Sequence, residues 1–313
     1  MTDGYSAMGN PIVQRFVARA KVMFYKHGAA FLAVFVSLSG CDSTGTPSAG
    51  STPYLERRAA FHTSLKAPGP SPQQWQNEPL PDGLQPVTYP SNGRDLKAWL
   101  FVPNVGDSKK PALVYIHGGF AFGVSDFEEV RPFADSGFIV LCPALRGENG
   151  NAGDFEFTLG EVDDAVAAVR WLAEQDNVDS RRIYAFGHSS GGIASAMLSL
   201  MDDVPIRHSG SSGGLYGTDL FAVVARQTPA RVPFALADPQ EAQLRVLVGN
   251  IRWMKRPHYA ICGTGDSLMK VRESRREAAE AKAPLEVIEI PGDHHSSLNA
   301  AVLRYLAIAQ QDK

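Results

Sequence analysis

From about residue 83 onward the chain alternates between two hydrophobic rhythms. Four short apolar runs, at 112–116, 138–142, 182–186 and 258–262, read as buried parallel strands, which are covered on both faces. A fifth, at 285–290, alternates more. Ahead of them, 87–91 and 95–102 flank Asn92-Gly93, a dipeptide suited to the positive φ angles of a tight hairpin. Between the runs the apolar spacing shifts to three and four. Residues 160–175 place Val162, Val166, Val169, Trp171 and Leu172 at helical spacing, and 190–201, 268–283 and 298–310 follow. Ser125-Asp126-Phe127-Glu128 has the form of a capping box. The alternation predicts an α/β fold, a mostly parallel twisted sheet with helices on both faces. Residues 203–256 break the rhythm with Gly, Pro and isolated aromatics, and are expected to form a small cap over the sheet edge. Leu215, Tyr216, Phe221 and Trp253 there either line a pocket or pack as core.

The first part of the chain reads as an address. Arg15, Arg19, Lys21 and Lys26 precede an apolar run at 29–38, too short to span a bilayer as a helix, which needs ~20 residues. A basic region followed by a short apolar one fits a secretory signal. The run ends Leu38-Ser39-Gly40-Cys41, which resembles the lipobox of bacterial lipoproteins. That resemblance implies a signal peptide over 1–40, cleavage before Cys41 and lipidation of its thiol; the alternatives are an uncleaved anchor or a plain signal. Met23 would make a more ordinary start. Asp42 is similar to the signal for retention at the inner membrane, implying a lipid-anchored domain on its periplasmic face. Residues 41–82, rich in Ser, Thr, Gly and Pro, read as a tether and 83–313 as the folded domain.

Composition narrows the function. The 313 residues are 44% hydrophobic, enough for one large core or two small ones, and a net charge of -3 with scattered charges gives no footprint for nucleic acid. Three cysteines, Cys41, Cys142 and Cys262, make neither a disulfide framework nor a zinc pattern. Cys142 and Cys262 end strand-like runs and read as buried small hydrophobes; a bridge between them requires neighbouring strands. No metal or cofactor is expected, and the oligomeric state is left open.

The chemistry centres on Gly187-His188-Ser189-Ser190-Gly191, which follows a predicted strand and opens a predicted helix. Gly-x-Ser-x-Gly in that context is a nucleophile elbow. A serine hydroxyl needs a base, and the base an orienting acid. Asp266 follows the strand at 258–262, while His294 and His295 follow the one at 285–290, giving the order Ser, acid, His. All three positions lie just past strand C-termini, where open α/β sheets bind ligands. Asp266 as a helix cap and Asp293 as a rival acid are the alternatives. His117-Gly118-Gly119-Phe120 follows another strand; backbone N–H groups of Gly119 or Phe120, with that of Ser190, suit an oxyanion hole. His117 is read as ordering that loop.

Taken with Arg146-Gly147-Glu148-Asn149-Gly150, Glu161-Val162-Asp163-Asp164, Asp179-Ser180-Arg181-Arg182-Ile183 and Pro291-Gly292-Asp293-His294, these motifs resemble the α/β-hydrolase superfamily over about 85–310. The likeness is to prolyl-oligopeptidase-type catalytic domains and their esterase-like relatives. In that pattern Asp-His is followed by an aromatic and a hydroxyl residue, which implies His294 as base and His295 at the aromatic position. No β-propeller precedes the domain, and the loop reads His-Gly-Gly-Phe where hormone-sensitive lipases have a third Gly. Both departures favour a carboxylesterase acting on small esters over an aminopeptidase or oligopeptidase acting on short peptides. A non-catalytic binding protein on a hydrolase scaffold is the remaining alternative.

Overall fold

The Asn92-Gly93 turn joins β1 (Leu84–Ser91) to β2 (Arg94–Phe101) in an antiparallel hairpin closed by Ser91 opposite Arg94. Both turn residues have positive φ, 48° and 74°, as a two-residue type I′ turn requires. The computed structural model describes residues 52–312, apart from 105 and 107. The expected signal segment, Cys41 and Asp42 lie outside the described residues.

Six further strands follow: β3 (Lys110–Ile116), β4 (Ile139–Pro143), β5 (Val178–His188), β6 (His208–Ser212), β7 (His258–Gly263) and β8 (Leu285–Ile290). They form one sheet in the order β1-β2-β4-β3-β5-β6-β7-β8, parallel from β4 through β8. Period-two alternation along β3 shows how it is buried twice over. Ala112, Val114 and Ile116 enter one core with α3 (Gly160–Ala173) and α4 (Ser189–Met197). Leu113 and Tyr115 enter the other, with α2 (Val124–Asp135) and α8 (Leu298–Gln311).

Three expectations are corrected. The helix α2 opens at Val124, one residue before Ser125, and the Asp126 carboxylate accepts the Gly123 N–H at 2.6 Å. Glu128 pairs with Arg131 instead of closing a box. The region 203–256 is not all insertion, because it contains β6, a central strand between β5 and β7. Small side chains are what its place requires. Any β-carbon on Gly210 would run into the Tyr305 ring of α8, while Ser209 and Ser211 hydrogen-bond the two ring nitrogens of the fully buried His258 at 2.7 and 2.9 Å. The inserted part begins after β6 and carries α5 (Asp219–Gln227) and α6 (Pro239–Gln243). Leu215 and Phe221 are core, and Trp253 packs against it.

The tether expected over 41–82 is docked in its described part. Helix α1 (Tyr54–Ala59) buries Tyr54, whose hydroxyl donates to the Leu244 carbonyl at 3.1 Å. Arg58 pairs with Asp163 at 2.8 Å, and Leu65 bridges to Phe234. Tyrosine burial and paired arginines explain the docking: composition rich in Pro and Ser says nothing of the few residues that anchor such a segment. Cys142 and Cys262 are free and buried, on β4 and β7, with three strands between them.

Candidate active site

Ser189 stands between β5 and α4 with φ of 53°, a left-handed conformation that is strained for a residue with a β-carbon. Its neighbours must be small for the turn to close. A β-carbon on Gly187 would overlap the Gly191 carbonyl, and one on Gly191 the carbonyl of Ile116. The strained turn lifts the hydroxyl off the sheet edge, where Ser189 Oγ donates to His294 Nε2 at 3.0 Å. On the other side of the ring, Nδ1 donates to Asp266 Oδ2 at 2.6 Å.

The loops bearing acid and histidine are laced together by main-chain bonds, Thr264 N–H to Ile290 O at 2.9 Å and Gly265 N–H to Gly292 O at 2.8 Å. Asp266 caps no helix, since α7 (Val271–Ala281) begins five residues on. Its side chain is only 5% exposed. Asp293 turns away: its exposed carboxylate accepts from His295 N–H, Ser296 N–H and the Ser296 hydroxyl, and these bonds hold its pKa down to about 2. The structure therefore brings together Ser189, His294 and Asp266. The His295 ring lies outside the relay, 5.1 Å from that of His294, and partial burial with the neighbouring His294 lowers its pKa.

Two aromatic groups complete the surround. His188 packs 4.9 Å from His294 and its Nδ1–H donates to Ser212 O at 3.2 Å. Burial, with His294 and His295 adding to it, holds the His188 pKa down to about 3, so it is neutral. The Tyr216 hydroxyl lies 3.4 Å from His294 Nδ1 and also interacts with Ser189. Burial first, and then the Asp266 charge, push its pKa well up, so it keeps its proton. The sequence placed Tyr216 in the inserted region; nothing in the pattern marked its hydroxyl for the site.

On the opposite side the loop after β3 is held at successive residues. His117 donates from Nδ1 to Gly118 O at 3.0 Å and from Nε2 to Glu148 Oε2 at 3.1 Å. Burial alone would lower its pKa, but the Glu148 carboxylate outweighs burial and lifts it to about 9, making it an imidazolium. The Ser190 hydroxyl donates to Gly119 O at 2.5 Å, and Asn149 pairs with both backbone groups of Phe122. Of the three expected oxyanion donors, the Phe120 N–H is already engaged, by Gln73 Oε1 at 2.9 Å. Those of Gly119 and of Ser190, in the first turn of α4, have no partner among the described residues. A cavity of about 20 Å³ lies beside Ser190, walled by Phe120, Phe155, Phe157 and Ala194. Glu161 also borders it; burial and the nearby Glu156 raise this carboxyl to about 7, although three backbone N–H groups donate to it. Among the described residues no cluster of His, Cys, Asp or Glu is arranged to hold a metal ion.

A hydroxyl, an imidazole and a carboxylate in line, with two N–H groups at hand, can carry out acyl transfer through a tetrahedral intermediate. The chain and its fold are similar to known proteins. The chain is 28% identical to the uncharacterized peptidase YtmA of Bacillus subtilis over 203 residues, which is 61% of this chain and 76% of the relative. The structure resembles that of a puromycin-hydrolyzing peptidase of Mycobacterium tuberculosis, with a TM-score of 0.63 and 19% identity, covering 73% of this chain and 39% of that one. An esterase of Pyrococcus furiosus gives a TM-score of 0.61 at 17% identity, covering 80% and 97%. Those two likenesses are of fold, the α/β-hydrolase fold, and the chain spans about two fifths of the peptidase's length. Residues 47–207, about half of the chain, match the X-Pro dipeptidyl-peptidase (S15 family) model, and the protein therefore belongs to that family of serine hydrolases of the α/β-hydrolase type.

Proposed function

We propose that the protein is a carboxylesterase acting on small esters, with Ser189 as nucleophile, His294 as general base and Asp266 as the acid that orients it. The observation that carries the reading is the relay itself, 3.0 Å from Ser189 Oγ to His294 Nε2 and 2.6 Å from Nδ1 to Asp266. Ser189 attacks the acyl carbonyl as His294 takes its proton, and the N–H groups of Gly119 and Ser190 receive the oxyanion. His294 then protonates the leaving alcohol. Water, activated by the same imidazole, releases the acid and restores the serine.

Preference for esters rests on the carboxylates around the site. Glu148 is committed to His117, Glu161 to three N–H groups and Asp266 to His294. None of these three is spare to grip a peptide ammonium. The peptidase reading is favoured by the family and by the likeness to YtmA. A fluorophosphonate probe followed by paired p-nitrophenyl ester and aminoacyl p-nitroanilide assays tests both. Wild type should label and Ser189→Ala should not; short esters should be turned over with far higher kcat/KM than anilides. Comparable rates on anilides would favour the peptidase, and absence of labelling would sink the serine mechanism. We extend the proposal to location: Cys41 lipidated, and the domain held at the outer face of the inner membrane, tested by loss of acyl labelling in Cys41→Ser.

A further inference from the structure

The segment ahead of the sheet is built into the oxyanion side of the site. Pro70 and Pro72 flank Ser71 and fix φ on either side, holding this stretch in one course. Ser71 N–H donates to Gly147 O at 2.9 Å, and its hydroxyl donates to the Phe120 carbonyl. Gln73 grips the same loop twice, Oε1 accepting the Phe120 N–H at 2.9 Å and Nε2 donating to the Ala121 carbonyl at 3.4 Å. Further along, Glu78 Oε2 accepts the Val124 N–H at 3.1 Å.

These bonds fall on particular peptide units. The unit joining Gly119 to Phe120 is clamped at both ends, its C=O by the Ser190 hydroxyl and its N–H by Gln73. The unit joining Ala121 to Phe122 is clamped in the same way, its C=O by Gln73 and its N–H by Asn149. Gly119 sits at φ of 73°, with the Gln73 amide oxygen 2.6 Å from where a β-carbon would stand. The Gly119 N–H lies in the preceding peptide unit, whose Gly118 C=O is held by His117 Nδ1; a glycine between two units is free to rotate, so clamping the unit on its C-terminal side removes the remaining freedom to turn.

We infer that Gln73 is a positioning residue for the oxyanion loop: by fixing the Gly119–Phe120 peptide unit it keeps the Gly119 N–H aimed at the developing oxyanion. The inference rests on the serine mechanism proposed above. It makes the arm between the sheet and the N-terminus a working part of the site, and it predicts an effect on turnover with little effect on binding. A preorganised donor counts in the transition state, where charge appears on the oxygen.

The test is steady-state hydrolysis of p-nitrophenyl butyrate by the full chain and its Gln73→Ala and Gln73→Glu variants, with fluorophosphonate labelling and thermal melting of each. Gln73→Ala should lower kcat by roughly 10- to 100-fold, the scale expected for a small misplacement, with KM nearly unchanged. Labelling should still reach completion, only more slowly. Gln73→Glu supplies a second readout that does not depend on how well the alanine variant folds. Ionised Glu keeps the acceptor for the Phe120 N–H but loses the donor to the Ala121 carbonyl and turns a negative charge toward that carbonyl, pulling the clamped unit out of line; protonation restores the donor, so its kcat relative to wild type should climb as pH falls through the carboxylate range. A purely structural brace would leave that ratio flat. A Gln73→Ala kcat equal to or above wild type, a loss confined to KM, or a pH-independent ratio for Gln73→Glu overturns the inference while leaving the serine mechanism intact. A wild-type chain that neither labels nor hydrolyses the ester overturns both.

Discussion

Replacing Asp266 by Asn preserves shape and changes which end of the His294 ring carries the proton. The carboxylate can only accept, so at 2.6 Å it obliges Nδ1 to hold the hydrogen. Nε2 then presents its lone pair to Ser189 Oγ at 3.0 Å. An Asn amide can turn its NH2 toward Nδ1. The proton then sits on Nε2, facing a serine whose own proton it can no longer take, and the negative charge that stabilises the imidazolium is gone. In serine hydrolases with this relay the swap lowers kcat by about 10⁴-fold, which is about 5.5 kcal/mol of transition-state stabilisation at about 1.36 kcal/mol per factor of ten. The bond from Asp266 N–H to Gly263 O belongs to the backbone and survives, so thermal melting should show a folded protein. Asp293→Asn is the control, because Asp293 is exposed and holds only its own turn. Its kcat on p-nitrophenyl butyrate should stay within a few-fold of wild type. An Asp266→Asn kcat within about tenfold of wild type, or a loss in Asp293→Asn as large as the one expected for Asp266, would refute the assignment of the acid.

His294→Ala should lower kcat by about 10⁴-fold or more, and His295→Ala by no more than a few-fold; the reverse order in the same assay would transfer the base to His295. Ser189→Gly should abolish probe labelling yet raise Tm by roughly 2–4 °C, because Gly accepts the φ of 53° that costs Ser about 1 kcal/mol; a lower Tm would deny the strain. The buried His117 contributes to stability in a defined pH window. Its pKa rises from 6.5 to about 9 on folding, so the contribution is complete below pH 6.5 and is lost as pH climbs through about 9. A shift of that size is worth roughly 3 kcal/mol. Urea unfolding at pH 6.5 and 9.5 should show wild type losing more stability than His117→Asn, and equal losses would remove the Glu148 pair as the cause.

Legibility in the sequence followed the kind of signal each element carries. The hairpin was readable because Asn92-Gly93 states its own backbone angles. The flanks of Ser189 were readable because a strand feeds directly into a helix there. Sequence spacing could bring a histidine loop to the site but could not separate two adjacent histidines, since one residue changes a side chain's direction without changing the loop's reach. The docked arm was unreadable for a different reason. Its anchors are single residues, Tyr54, Arg58 and Gln73, with partners more than forty positions away, scattered through a segment whose bulk composition is that of a linker. The start of α2 escapes the sequence pattern because a serine and an acid three apart, Ser125 and Glu128, form the familiar box two residues after the pair that closes it, Gly123 and Asp126.

The strand β6 bears on which substitutions the centre of the molecule tolerates. Middle strands of parallel sheets ordinarily exchange Val, Ile and Leu freely, because grease of similar bulk serves either face. From Ser209 to Ser212 volume is the first limit, and at Ser209 and Ser211 a hydroxyl is needed as well. Tyr305 closes one face over Gly210, the Ser195 hydroxyl binds the Gly210 carbonyl at 2.8 Å from the other, and two serines satisfy a histidine that burial keeps neutral with a pKa of about 3. Past His208, this interior strand is thus a filter for smallness. Its record of tolerated changes from Ser209 to Ser212 would be glycine and serine, with alanine only where no ring nitrogen is faced, a signature written first in side-chain size.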